Sequence, residues 1–407
     1  MMVLVDDRQS SPTPGHPLGS LPFFDQGHRD LWPRIAAFVA EHIAPRAAAA
    51  DAGNPNDAAR GFAEALADRG WFEYLLPGRA GSASKPDLTS VCLVRECLAG
   101  GSALADGLYA AHGLGAFPLL VAASPALRDR WLPRVASGRA IAGFALTEPD
   151  AGSDVGAIRT TARPDGDDYV IDGEKTLISN AGIADYLVVF ARTSDDNAAA
   201  RRALSAFVVE TNRPGCRVAR EVPLLAPHAI ADLRFENCRV PSASRLGSEG
   251  DGLGIALATL DFYRTSVGAA ACGLAARALE EACERVLSRT QFGIRLADHQ
   301  ATRFALADMA TQLDAARLLV YRAAWRSGAG AARLTREASM SKLFATEAAQ
   351  RIVDAAVQLH GGSGVSKGTV VERLYREVRA LRIYEGTSEI QRLVIGRHIV
   401  EHGIAIP

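Results

Sequence analysis

Residues 168–179, DYVIDGEKTLIS, read with the period of two that marks a strand. The same period runs through YLVVFART, SAFVVET, CRVAREV and ADLRFENCRV, up to about Val240. On either side the spacing is helical. Upstream, DLWPRIAAFVAEHIAPRA, AARGFAEALADRGWFEYL and ALRDRWLPRVASG place apolar residues three and four apart. Downstream of the glycine-rich GSEGDGLG, long alanine-rich segments are apolar on more than one face, as in a bundle core. The order helix, strand, helix excludes alternating βαβ units and a dinucleotide-binding parallel sheet. The fold class expected is multidomain α+β. Its parts are a flexible, uncleaved tail over 1–25, a helical domain over 26–143, a strand domain over 144–243 and a helical domain over 244–407. Within the strand domain, Asp172-Gly173 is the expected hairpin turn.

The chain has 407 residues, 48% of them hydrophobic, enough to bury one large core or several smaller ones. A formal net charge of −1 provides no positive field to draw it onto nucleic acid or an anionic membrane. The N-terminus MMVLVDDRQSSPTPGHPLG has acids where a signal peptide needs bases. No run reaches the roughly 18 uninterrupted apolar residues of a membrane span. The six cysteines form no CxxC pair, which points to reduced thiols and a cytoplasmic location. No metal site is expected. HIVEH, His398 to His402, has zinc-like spacing but no downstream acid to complete a site. GVSKG, Gly364 to Gly368, follows a helical pattern where a nucleophile elbow needs a strand.

FALTEPDAGSD, Phe144 to Asp154, combines hydroxyls with small residues that let backbone amides approach a ligand. Spacing alone leaves an ordinary turn equally open. Near the C-terminus, IYEGTSEIQR sets Glu385 between an aromatic residue and a glycine. Ser388 with Gln391 reads as a capping box for the final helix.

Together, LTEPDAGSDVGAI, IDGEKTLISNAGIADYLVVFAR, FENCRVP, SRTQFGIRLADHQ, QLHGGSG and YEGTSEIQR resemble the acyl-CoA dehydrogenase family, in order and from about Asp25 to His402. The resemblance implies a helical bundle, a β-barrel-like middle domain and a C-terminal four-helix bundle. It also implies FAD as cofactor. Phe144, Leu146, Thr147, Gly152 and Ser153 match one wall of the flavin site, and Leu177, Ile178 and Ser179 another. Many members carry Trp where this chain has Leu177. Arg289, Phe292, Gln300, Gln358, Gly361 and Gly362 match positions that meet the FAD of a neighbouring subunit, which implies a homodimer or homotetramer. Thr387 and Glu389 match further cofactor contacts.

For the substrate, Asp261 and Arg264, three apart on one helix face, match positions lining the acyl-CoA site together with Ser153. Glu385 matches the base that removes the α-proton of an acyl thioester while the β-hydrogen leaves as hydride to flavin N5. The family's alternative base precedes the arginine; here that residue is Tyr263. The expected reaction is formation of a trans-2-enoyl thioester, with electrons passed to an acceptor such as an electron-transfer flavoprotein. Two other readings stay open: a same-fold oxidase or monooxygenase, or an enzyme acting on a carrier-protein thioester. A non-catalytic binding protein is disfavoured by the intact Glu385.

Overall fold

The computed structural model describes residues 15–77, 85–194, 203–329 and 334–404. Six helices come first: α1 (Gln26–Phe38), α2 (Ala47–Ala52), α3 (Pro55–Asp68), α4 (Leu88–Gly101), α5 (Ala103–Ala122) and α6 (Pro125–Ala136). Their starts follow local chemistry. The Asp87 carboxylate caps α4 by accepting from Ser90 N at 2.8 Å, and Asn54 caps α3 ahead of Pro55. Residues 1–14 of the expected flexible tail lie outside the described residues. From 15 to 25 the expectation is corrected, because His16, Leu18 and Phe24 are buried on the bundle. Their apolar surface gains more by packing than by staying in water.

The middle domain comprises β1 (Ala142–Ala145), β2 (Thr161–Asp165), β3 (Asp168–Ser179), β4 (Tyr186–Arg192), β5 (Leu204–Glu210), β6 (Cys216–Glu221), β7 (Ile230–Pro241) and β8 (Arg245–Leu246). They form one sheet in the order β6-β7-β3-β2-β4-β5-β8, with β1 parallel to β4. The sheet folds over at the single β2–β4 pairing, Thr161 with Arg192. Its two halves then enclose a core of Ile171, Leu233, Phe235, Val189 and Phe207. Val188 and Phe190, on the opposite face of β4, pack with Trp131 of α6 and Leu119 of α5. A strand covered on both faces explains why YLVVFAR is an unbroken apolar run.

The expected turn at Asp172-Gly173 is also corrected. The chain reverses at Gly166-Asp167, where Asp165 pairs with Asp168 and Gly166 takes φ 64°. Asp172-Gly173 lies inside β3, at an irregularity where the register against β7 skips between Ile171 and Gly173. A Cβ on Gly173 would lie 2.5 Å from Thr160 Oγ1, so this glycine serves close approach.

The rest is α7 (Gly252–Ser288), a small hairpin of β9 (Thr290–Gln291) and β10 (Ile294–Arg295), then α8 (Gln300–Gly328), α9 (Thr335–His360), α10 (Val370–Val378) and α11 (Ser388–His402). At 37 residues α7 is about 55 Å long. It packs against α4, α5, α8, α9 and α10 and so joins the two helical regions. Among the described residues only α5 is long and apolar enough to cross a membrane, and it is a largely buried core helix.

Candidate active site

The turn between α10 and α11 carries Glu385. Its φ of +53° is in the left-handed region, which a residue with a long side chain adopts at a cost. Among the described residues, the non-glycine, non-asparagine residues with positive φ are Leu177, Phe292 and Glu385. All three are candidates from the sequence. The surrounding structure holds the Glu385 turn through its carbonyls. Lys342 Nζ on α9 donates to Tyr384 O at 2.6 Å and also to Gly386 O. Gln391 Nε2 donates to Gly386 O at 2.8 Å, and Arg264 Nε to Glu385 O at 3.4 Å. The N–H of Glu385 takes no part in these bonds.

The Glu385 side chain is treated differently. Part of the residue is accessible, yet Oε2 is buried with no hydrogen-bond partner among the described residues. Burial pushes its carboxyl above the ordinary range, while the charges of Arg95, Lys342 and Arg264 pull the other way. Lys342 is pushed down to about 8 by the same burial, against the Glu385 charge. A buried carboxylate oxygen without a donor is costly, and such groups concentrate where chemistry needs a base.

Asp261 and Arg264 are joined as an ion pair on α7, and Thr335 Oγ1 donates to Asp261 Oδ2 at 2.7 Å. Arg264 is buried, so the pair does more than a solvated surface contact would. It ties α7 to the Glu385 turn.

The strand-domain candidates are fixed by a second buried pair, Lys175 with Glu148 at 2.8 Å. Lys175 Nζ also donates to Leu146 O at 3.0 Å, while Glu148 accepts from the N–H groups of Arg159 and Thr160. Thr176 N bonds Thr147 O at 3.0 Å, so Phe144 to Thr147 and Leu177 to Ser179 stand side by side. Phe144 is half-buried with its ring on Phe190; Leu146 and Ile178 are buried. Thr147 is half-buried, and Gly152 and Ser153 are exposed on the loop that follows. Leu177 is 48% exposed, and Ser179 Oγ is 2.8 Å from His228 Nε2.

Another group lies elsewhere. Arg289, Phe292 and Gln300 are exposed around the β9–β10 hairpin, with Phe292 96% exposed. Gln358, Gly361 and Gly362 are exposed at the end of α9, and Arg285 Nη2 reaching His360 O at 3.4 Å holds the two ends together. A Cβ on either glycine would meet open space. From Arg264 to the end of α7 is 24 residues, about 36 Å. One chain therefore does not bring this group to its own Glu385.

The expected capping box on α11 is corrected. Thr387 is the N-cap and accepts from Ile390 N at 3.3 Å. Ser388 Oγ instead donates to Glu347 Oε1 at 2.7 Å, and Gln391 holds the Glu385 turn. Both side chains gain stronger partners than a solvent-facing cap offers. Glu389 is exposed in the first turn of α11.

Sequence reasoning named neither Lys342 nor the buried pair of Arg95 and Asp106, whose carboxylate is bound at 2.8 Å by both Nε and Nη2. The available signal was an arginine and an aspartate within otherwise apolar helices, VCLVRECLAGG and ALADGLYAAHG.

Residues 25–139, 143–238 and 250–400 match the family models for the acyl-CoA dehydrogenase N-terminal, middle and C-terminal domains. Over 363 residues the chain is 38% identical to a cyclohexane-1-carbonyl-CoA dehydrogenase of Geobacter metallireducens, covering 89% of this chain and 94% of that protein. Among solved structures, an FAD complex of PigA matches with TM-score 0.85 and 27% identity, over 93% and 98% of the two chains. The prolyl acyl carrier protein oxidase AnaB matches with TM-score 0.84 and 29% identity, over 92% and 99%. The helix, sheet, helix order and these matches agree, and the chain belongs to the acyl-CoA dehydrogenase family of oxidoreductases.

Proposed function

We propose that this chain binds FAD and dehydrogenates an acyl thioester between Cα and Cβ, giving the trans-2-enoyl thioester. The observation that carries the proposal is the buried Oε2 of Glu385, without a partner among the described residues, on a strained turn. Glu385 takes the α-proton onto that oxygen, and its raised affinity for protons suits a weakly acidic C–H. The Glu385 N–H, left out of the bonds that hold the turn, is the donor assigned to the thioester oxygen as negative charge develops there. Arg264, Lys342 and Gln391 keep the turn from relaxing.

FAD fits the residues present. Thr147, Leu177 and Ser179 form adjoining edges for the flavin ring, with Thr387 and Glu389 beyond the turn. Arg289, Phe292, Gln300, Gln358, Gly361 and Gly362 form an open, exposed group for the remainder. When bound, the flavin supplies the two-electron acceptor for the β-hydrogen. The separation of about 36 Å along α7 supports giving the second group to a neighbouring chain's cofactor, in a homo-oligomer. We place the enzyme in the cytoplasm, with an external acceptor such as an electron-transfer flavoprotein.

A second reading, action on a carrier-protein thioester or reoxidation by oxygen, is favoured by Leu177 in place of tryptophan and by the resemblance to AnaB. The test is to purify the protein, record its visible spectrum, and add acyl groups on CoA and on carrier protein without oxygen. Bound flavin bleached by an acyl thioester supports the proposal. A protein without flavin contradicts it, as does flavin that no thioester bleaches.

A further inference from the structure

Among the described residues two lysines are fully buried, Lys175 on β3 and Lys342 on α9, and burial pushes both down to about 8. They differ in what they touch. Lys175 Nζ meets Glu148 Oε1 at 2.8 Å. Burial works upward on the Glu148 carboxyl, but the charge of Lys175 and the N–H of Arg159 bring it below its ordinary range. Lys342 Nζ instead gives its bonds to Tyr384 O and Gly386 O, the neutral carbonyls on either side of Glu385. Lys342 has no carboxylate in contact among the described residues.

The other two cations near Glu385 each bring an acid of their own. Arg95 on α4 is bound through Nε and Nη2 to Asp106 on α5, at 2.8 Å each, and Arg264 on α7 is paired with Asp261. Against the upward push of burial, Arg95, Lys342 and Arg264 pull the Glu385 carboxyl down, and Asp106 adds to the rise. Burial holds the phenols of Tyr263 and Tyr384 above their ordinary range, so both are neutral. Around the turn this leaves one buried positive group without an acid in contact, Lys342, and one carboxylate without a base in contact, Glu385. A separated pair differs from a contact pair in a way that suits a base. The field of the ammonium favours the carboxylate, while the carbonyls that hold the ammonium keep it from covering Oε2.

Resting on the assignment of Glu385 as the base, we propose that Lys342 is a positioning residue and the remote counter-ion of Glu385. Its ammonium fixes the turn through two carbonyls and keeps the carboxylate ionised without occupying the oxygen that takes the α-proton.

The test is anaerobic flavin reduction across pH, with whichever of butyryl and octanoyl, on CoA or on carrier protein, reduces the wild-type holoenzyme fastest. Lys342→Gln and Lys342→Met remove the charge, and Lys342→Arg keeps it. Gln391→Leu removes a bond to the same turn and no charge. With the charge gone, the acid limb is expected to move up by about 1 pH unit or more, so that at a pH on the wild-type limb the rate falls at least about 10-fold. In Lys342→Arg and Gln391→Leu the limb should stay at the wild-type pH, even where the maximal rate drops. Infrared titration of the Glu385 carboxyl band, identified by its loss in Glu385→Gln, reads the same shift without turnover, so a neutral variant that holds flavin poorly still decides. A limb and a carboxyl band that do not move in the neutral variants overturn the inference and leave Glu385 as the base. So does an equal shift in Gln391→Leu, which would make the shape of the turn responsible rather than charge. Wild-type flavin that no thioester in the set reduces overturns the dehydrogenase reading itself, and the inference with it.

Discussion

Two glutamates with buried carboxylate oxygens, Glu96 on α4 and Glu385 before α11, meet opposite fates. Glu96 accepts from Arg317 Nε at 2.7 Å and Tyr321 Oη at 2.6 Å, with His16 Nε2 at 3.5 Å. Burial alone would raise its carboxyl, but Arg317, His16 and Tyr321 carry it down to about 2. Glu385 has three cations within electrostatic reach, yet Oε2 has no donor among the described residues and its carboxyl is raised. Lys342 and Arg264, which could have satisfied it, spend bonds on the carbonyls of the turn instead. One glutamate fastens α4, α8 and the segment from residue 15, while the other is held open for a proton.

The comparison breaks most sharply under substitution. Glu385→Gln is expected to lower turnover by roughly 10² to 10⁴-fold while flavin content stays intact, the usual scale of a general base. An unchanged turnover number at equal flavin content would mean the base lies elsewhere. Glu96→Gln should instead cost about 3–5 kcal/mol of stability by leaving buried Arg317 without its counter-charge. A urea midpoint like that of the wild type would contradict this.

Their pH responses should also part. Glu96 has a folded value of about 2 against an ordinary 4.5, so its contribution is fully present above 4.5 and is lost as pH falls toward 2. Urea midpoints measured down that range should fall in the wild type more steeply than in Glu96→Gln. Smallest of all is Thr387→Ala, which removes the N-cap of α11 beside Glu385 and should cost about 1 kcal/mol. A loss well above that in thermal unfolding would mean Thr387 does more than cap.

How much of this was legible in the sequence depended on range. The helix, strand, helix order was readable because burial of one face imposes a period on each segment, and FALTEPDAGSD and IYEGTSEIQR are contiguous. Local competition defeated other readings. Two Asp-Gly pairs lie seven residues apart, and only pairing with β7 makes Asp172-Gly173 an irregularity rather than a turn. Ser388 has a capping pattern but finds Glu347, 41 residues away. His16 looked like part of a tail because its partners, Glu96 and Tyr321, are 80 and about 300 residues on. Arg95, Asp106, Tyr263 and Lys342 meet near Glu385 from four different helices, which no sequence window contains.

The role of Glu385 is tested most directly by the rate of anaerobic flavin reduction by an acyl thioester across pH, in the wild type and in Glu385→Gln at equal flavin content. The expected profile rises with pH along an acid limb displaced above 4.5, because the carboxylate must be free to accept the α-proton. In Glu385→Gln the rate should fall by roughly 10² to 10⁴-fold and the residual rate should lack that limb. A variant that keeps the same limb would contradict the assignment of Glu385 as the base.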